Sequence, residues 1–389
     1  MKKALIQSKS TEIHDEIISI REHLHQHPEL SFQEYETSNY VQSILTKWGI
    51  DFEVVCETGI VGTLSPSKKT TKCIALRADL DALPILEENN VSYCSTNKGV
   101  MHACGHDVHT SILLGALKII NEYKDELDHD VKFIFQPGEE KLPGGASLLL
   151  NQNVLENPKV DEIFALHVFP ELEAGKVGLK GGMYMASCDE IYMTVKGKGG
   201  HGAMPHQTID PILTAAHIIT SLQQIVSRNC SPIIPSVLSF GKIEGLGATN
   251  VIPNEVKLEG TFRTMNEKWR TKAHHLIKKQ ATFIANGFGA KVDVDIIKGY
   301  PFLENDIELT SKTKLKLETH FEAENVIDLP IRMTGEDFAF FAQKIPATFI
   351  RVGVRNETKN IIYPVHNSKF DIDNLAIKVG IETLLTIVY

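Results

Sequence analysis

The chain has 389 residues, of which 42% are hydrophobic and 23% charged, and its formal net charge is -9. That length exceeds what one core usually serves, so two domains are expected. The acidic balance argues against nucleic acid or an anionic membrane surface as a partner, and no apolar run approaches the ~20 residues that a bilayer span requires.

The amino terminus opens with basic residues, but Gln7, Ser8 and Lys9 interrupt any apolar continuation. No secretion signal is read there, and a cytoplasmic protein is expected. Ile13, Ile17, Ile20 and Leu24 recur at helical spacing and predict a helix over 11–27. His23, His25 and His27 look like a metal tract but are read as helix-end residues before Pro28, without a functional role. Tyr35, Val41, Ile44, Leu45 and Trp48 predict a second helix over 35–48. Short apolar runs follow at 60–64, 73–78, 131–136 and 163–168, with the helical pattern HTSILLGALKIINEYK between the second and third. Continuous apolar strands separated by helices predict a largely parallel sheet covered on both faces.

The pattern changes near residue 187. Ile191, Met193 and Val195 alternate along a strand, and Asp210-Pro211 opens a helix over about 210–228 with an N-cap and a proline at the first turn. A strand at about 235–244 comes next. In 255–264, Val256, Leu258 and Phe262 face one way and Lys257, Glu259, Thr261 and Arg263 the other. A helix at 266–286 and a strand at 290–297 complete a βαββαβ order, the ferredoxin-like arrangement. This predicts an inserted domain at 187–297, with 1–186 and 298–389 forming one discontinuous α/β domain; ATFIRVG supplies a further strand and 373–388 a last helix.

Six scattered cysteines read as reduced thiols, and only Cys104 stands among other potential ligands. The other candidate ligands fall after predicted strands, where open α/β sheets bind their ligands. CIALRA runs into Asp79 and Asp81, VKFIFQ into Glu139 and Glu140, and IFAL into His167. In MHACGHD, Cys104 and His106 are two residues apart on a turn, a thiolate and an imidazole that suit a borderline transition metal. Gly105 gives the backbone freedom to aim both inward. The plainer alternative is a buried cysteine and a helix-capping His or Asp. Of the adjacent Glu139 and Glu140, one can bind metal while its neighbour reaches a water; the plainer alternative is a solvated acidic turn. His167 in an apolar run and His366 in YPVHN are each, taken alone, as readily a core histidine and a loop residue.

The motifs RADLDALPI, MHACGHDVHT, FQPGEE, GKGGHGAMPH, TNVIPNE, GTFRT and TGEDFAFF, with REHLHQHPELSFQE before them, keep one order along nearly the whole chain. Together they resemble the aminoacylase-type metallopeptidases, specifically the amidohydrolase branch of hippurate hydrolases, N-acetyl-amino-acid deacetylases and auxin-conjugate hydrolases. The resemblance implies a zinc-peptidase-like α/β catalytic domain with an inserted ferredoxin-like lid. It implies Cys104, His106, Glu140, His167 and His366 as ligands of two divalent cations, manganese or zinc, with cobalt and nickel as further candidates. It implies Glu139 as catalytic base, Asp81 as the carboxylate that orients a ligand, and His201 as the group that polarises the scissile carbonyl. Arg263 and Asn250 match substrate-contacting residues, which lid closure would bring to the metals. The role of Asp79, which stands where other branches carry a histidine, is left open. Asp107 is either a further orienting group or the N-cap of the following helix. The reaction implied is hydrolysis of the amide bond of an N-acyl amino acid, by a homodimer joined through its lids. The rivals are a dipeptidase or carboxypeptidase of a neighbouring branch, and a non-catalytic metal- or small-molecule-binding protein.

Overall fold

The computed structural model describes residues 1–389. The chain divides into two compact units, one of Met1–Met183, Glu304–Ile331 and Asp337–Tyr389, the other of Tyr184–Leu303 and Arg332–Glu336. These bounds lie a few residues outside the expected 187–297, and they add a short second segment. Backbone pairing explains the addition: Ala186 N–H donates to the carbonyls of Arg332 and Thr334, and Arg332 N–H to that of Tyr184.

The first unit is built on an eight-stranded sheet in the spatial order 53–55, 59–64, 130–136, 73–79, 162–173, 347–355, 177–179, 326–328. The expectation of a largely parallel sheet holds for its centre. Strands Asp130–Gln136, Cys73–Asp79, Glu162–Glu173 and Ala347–Arg355 run parallel to their neighbours in that group. The flanks do not follow: 59–64 joins 130–136 antiparallel, and 177–179 joins 347–355 antiparallel. All seven residues of Cys73–Asp79 are buried, so the sheet is covered on both faces there. Helices Lys3–Glu12, His14–Gln26, His106–Tyr123 and Leu375–Val388 pack with it into one core. The helix expected over 11–27 is His14–Gln26, and a further helix, Lys3–Glu12, precedes it across Ile13. The strand carrying His167 is longer than expected and continues to Glu173, so His167 lies within the ladder, opposite Arg351.

The second unit carries a four-stranded antiparallel sheet in the order 236–244, 255–264, 189–196, 291–298. Helices Pro211–Gln224 and Glu267–Gly287 complete the βαββαβ order. Val256, Leu258 and Phe262 are buried against Ile191, Met193, Val195, Ile218 and Ile277. Both helices start where capping chemistry places them: the Asp210 carboxylate accepts from Ile212 and Leu213 N–H, and the Asn266 carbonyl from Trp269 N–H.

Candidate metal centre

The residues after strand Asp130–Gln136, the middle of strand Glu162–Glu173, one helix start and the loop at His366 deliver the first unit's candidates to one place. Gly105, at φ 82°, directly precedes helix His106–Tyr123. A Cβ there would stand 2.6 Å from Val168 Cγ2, so both conformation and space require glycine. Asp107 is not the cap of this helix: Gly105 occupies that position and no side chain caps it. The close turn brings Cys104 Sγ within 3.4 Å of His167 Nε2. His366, at φ 63°, is held by its own N–H on Ala103 O (2.7 Å), and its Nε2 lies 3.2 Å from Glu140 Oε1. A left-handed non-glycine residue at a side-chain cluster is the kind of strain that functional sites retain.

Three overlapping groups result, each with its ligand atoms within 4.8 Å of one another: Cys104, His106 and His167; Cys104, Glu140 and His366; His106, Glu139 and Glu140. The five expected ligands therefore converge, with Cys104, His106 and Glu140 each shared between two groups. A fourth group, Asp79, His106 and His109, adjoins them.

Asp81 lies directly behind this cluster. Its Oδ1 stands 3.1 Å from His106 Nδ1, and its Oδ2 accepts from Glu140 N–H (2.9 Å) and Ser31 Oγ–H (2.6 Å). One carboxylate thus orients two candidate ligands and leaves His106 Nε2 to face the cluster. Asp79, whose role the sequence leaves open, is held between Arg77 Nη1 and His109 Nδ1, each at 2.6 Å. His109 was not singled out from sequence, although it lies one turn after His106 on the same helix face. Its Nε2 accepts from Val168 N–H at 2.9 Å, so its Nδ1 carries the proton given to Asp79. Both ring nitrogens are engaged, which makes His109 a spacer between Asp79 and the His167 strand.

The electrostatics suit cations. Burial, then Glu140 and Glu139, push the Cys104 thiol well above its ordinary value. Burial works against a charged His106, but Asp79 and Asp81 outweigh it and raise the imidazole to about 10. Burial lowers His167 well below its ordinary value, with Arg351 adding to the effect, so this imidazole is neutral and able to ligate. His106 Nε2 and Glu140 Oε1 are buried without a hydrogen-bond partner; the approach of His366 to that oxygen is an ion-pair distance rather than a hydrogen bond. A buried unpaired polar atom costs about 1–3 kcal/mol. Divalent cations would supply both atoms with a partner and stabilise the thiolate. A soft thiolate, imidazoles and carboxylates form a donor set for borderline transition metals.

A buried ion cluster stands behind the helix. Arg21, fully buried, donates from Nε to Asp107 Oδ2 (2.7 Å) and from Nη2 to Asp371 Oδ1 (3.1 Å). His25 Nδ1 stands 2.8 Å from the same Asp107 oxygen, and its Nε2 3.2 Å from Glu87 Oε1. His25 is therefore no idle helix-end residue. Burial opposes ionisation of Asp107, but Arg21 and His25 hold it far below the usual carboxylate range. His23 is different: it stacks on Tyr40, with ring centroids 3.9 Å apart, and joins no ligand group.

The remaining candidates belong to the second unit. His201 and Asn250 are neighbours there: Val251 pairs with His201, and Gly202 N–H donates to Asn250 O at 2.8 Å. Ala203 N–H donates to His201 Nδ1 at 3.1 Å, which leaves the proton of the neutral ring on Nε2. Arg263 is half-buried and donates from Nη1 to Met333 O at 3.3 Å.

The profile of peptidase family M20/M25/M40 matches residues 75–389, and the chain belongs to that family. It is 38% identical to the N-acetyl-L-cysteine deacetylase of Bacillus subtilis over 93% of this chain and 85% of that protein. It is 37% identical to thermostable carboxypeptidase 1 of Saccharolobus solfataricus over 95% of this chain and 93% of that one. Among solved structures, the Bacillus subtilis YXEP protein, described as a dinuclear metal binding peptidase of family M20, superposes with a TM-score of 0.84 at 32% identity, covering 97% of this chain and 98% of that chain.

Proposed function

We propose that the protein is a metal-dependent amidohydrolase that cleaves the amide bond of N-acyl amino acids. The observation that carries this reading is the convergence of Cys104, His106, Glu140, His167 and His366, with the buried carboxylate of Glu139 beside them. Those five residues would hold two divalent cations; the thiolate favours zinc, cobalt or nickel, and the carboxylates also accept manganese. When bound, the cations polarise the scissile carbonyl and acidify water.

Glu139 is the general base. Its Oε1 is anchored 3.3 Å from Asp337 N–H, which fixes the carboxylate's orientation. It accepts the proton of the attacking water and delivers it to the departing amine nitrogen. Asp81 keeps His106 and the Glu140 backbone in register. In the same reading His201, Asn250 and Arg263 serve the substrate. His201, with its proton on Nε2, donates to the developing oxyanion, and Arg263 takes the amino-acid carboxylate through its planar guanidinium.

Hydrolysis of N-acetyl, N-benzoyl and indole-acetyl amino acids, in parallel with peptides bearing a free carboxyl terminus and with defined added metals, tests the reading. Chelator-sensitive turnover of the N-acyl amino acids is expected. Its absence with every metal contradicts the reading. The similarity to a carboxypeptidase makes peptide cleavage the second reading, which the peptide arm of the same panel decides.

A further inference from the structure

The segment before helix Tyr35–Lys47, Glu29–Glu34, lies more than a hundred residues from Glu139 in sequence yet is built into its turn. It runs along the residues after the Cys73–Asp79 strand: Ala82 N–H donates to Glu29 O at 2.8 Å, and Leu30 bridges Ala82 in parallel. Ser31 donates to Asp81 Oδ2 at 2.6 Å. Phe32 takes the left-handed conformation, φ 64°, and its ring covers Gly138, itself at φ 57°. A Cβ on Gly138 would stand 2.2 Å from that ring.

Glu34 completes the contact. It is fully buried, and a single oxygen, Oε1, accepts from both Phe32 N–H and Gly138 N–H at 2.8 Å. Its Oε2 accepts from Thr58 Oγ–H at 2.8 Å. Glu34 stands at the start of helix Tyr35–Lys47, but its side chain does not cap that helix. A buried carboxylate that forgoes the local cap and instead bonds a backbone N–H 104 residues away is doing something a helix start does not require. Gly138 N–H belongs to the Pro137–Gly138 peptide, one residue before Glu139, so the bond fixes the orientation of the turn from which Glu139 leaves.

We propose that Glu34 is a positioning residue for the base: by holding Gly138 N–H and Phe32 N–H on one oxygen, it fixes the rotation of the Pro137–Glu140 turn and thereby the aim of the Glu139 carboxylate. This rests on Glu139 being the base. Glu34 itself touches no reacting atom, so its loss should appear in kcat rather than in KM or in metal content. A misplacement of about 1 Å at a reacting group costs on the order of 10²-fold. The needed feature is an acceptor oxygen rather than a charge. A glutamine can present its carbonyl oxygen to both N–H groups, while Thr58 rotates its hydroxyl to accept from the amide.

The test compares E34A, E34D, E34Q and E139Q for kcat, KM, metal per chain and the pH profile on an N-acetyl amino acid that the parent hydrolyses. Expected are a loss of about 10- to 100-fold in kcat for E34A, with KM and metal content unchanged, and a kcat for E34Q within about threefold of the parent with an unmoved pH profile. E34D keeps the charge but falls one methylene short, and it serves should E34A not fold; a loss in kcat at full metal content is expected there too. Parental kcat in folded E34A or E34D overturns the proposal, as does loss of metal in parallel with kcat. An E34Q as slow as E34A, or with a displaced acid limb, also overturns it, because charge rather than position would then be at work. E139Q keeps the two failures apart: if it turns over at the parental rate, the base assignment itself fails.

Discussion

The metal-ligand candidates of the first unit and the substrate candidates of the second differ in how they are held. Cys104, His106 and His167 are buried, and the two histidines are each fixed through the ring nitrogen turned away from the cluster: His106 Nδ1 stands by Asp81, and His167 Nδ1 donates to Val168 O at 2.8 Å. His201 and Asn250 are exposed on a two-stranded turn, and Arg263 has one long bond to a backbone oxygen. Groups that must present a fixed geometry to ions gain from a rigid backing. Groups that meet a ligand from solvent are commonly carried on accessible loops and strand faces. The difference separates the two sets by the kind of failure that mutation should cause.

The largest effect is expected at the proposed base. Glu139→Gln should lower kcat by about 10²- to 10⁴-fold, the span that a positioned proton-transfer group contributes, with metal content near that of the parent. Steady-state kinetics with elemental analysis of the same preparation would check both halves. Parental turnover would blur the contrast at its sharpest point.

Next is the ion cluster behind the helix. Arg21→Met leaves Asp107 buried beside His25 without its guanidinium, and breaking such a pair costs about 3–5 kcal/mol. In the parent, Asp107 has a depressed folded pKa. Its stabilisation is therefore present above the unfolded value near 3.9 and is lost as pH falls below it. Removing Arg21 removes the largest single source of that lowering. Urea denaturation should then show lower stability at neutral pH and a flatter decline between about pH 5 and pH 3. An unchanged slope would mean that His25 alone holds the carboxylate.

Asp81→Asn should weaken metal retention by about 10- to 100-fold, the usual effect of a group that orients a ligand. Competition with a chelator measures it, and unaltered retention would show that His106 needs no such support. The smallest effect is expected in the second unit. Arg263→Lys should raise KM for N-acyl amino acids by about 2- to 10-fold, the loss of one hydrogen bond of about 0.5–1.5 kcal/mol where a planar guanidinium gives way to a point charge, while leaving metal content untouched. A loss of metal in that variant would erase the distinction between the two regions.

Much of the fold was legible from sequence because hydrophobic period and caps are local. The βαββαβ order, the Asp210 and Asn266 helix starts and the central parallel strands follow from apolar spacing and turn residues. The short flanking strands 53–55, 177–179 and 326–328 were not legible: three residues carry too little periodicity, and their pairing is set by neighbours far along the chain. Glu139 and Glu140 stood out because they follow a strand, and Cys104 and His106 because they share the turn before a helix. The residues behind them did not, since Arg21, His25 and Glu34 find their partners many residues downstream. One signal was present: Ile17, Arg21 and His25 are successive i, i+4 positions, so a guanidinium and an imidazole on the face of a buried isoleucine required a buried acid somewhere.

Metal per chain in the parent and in Cys104→Ala, both dialysed against metal-free buffer and assayed by elemental analysis, tests the central claim most directly. Cys104 belongs to two of the three ligand groups. The account predicts two divalent cations in the parent and a clear loss from the variant, with hydrolysis of N-acetyl amino acids falling alongside. A Cys104→Ala protein that keeps two cations, or a parent that takes up none when metals are supplied, would contradict it.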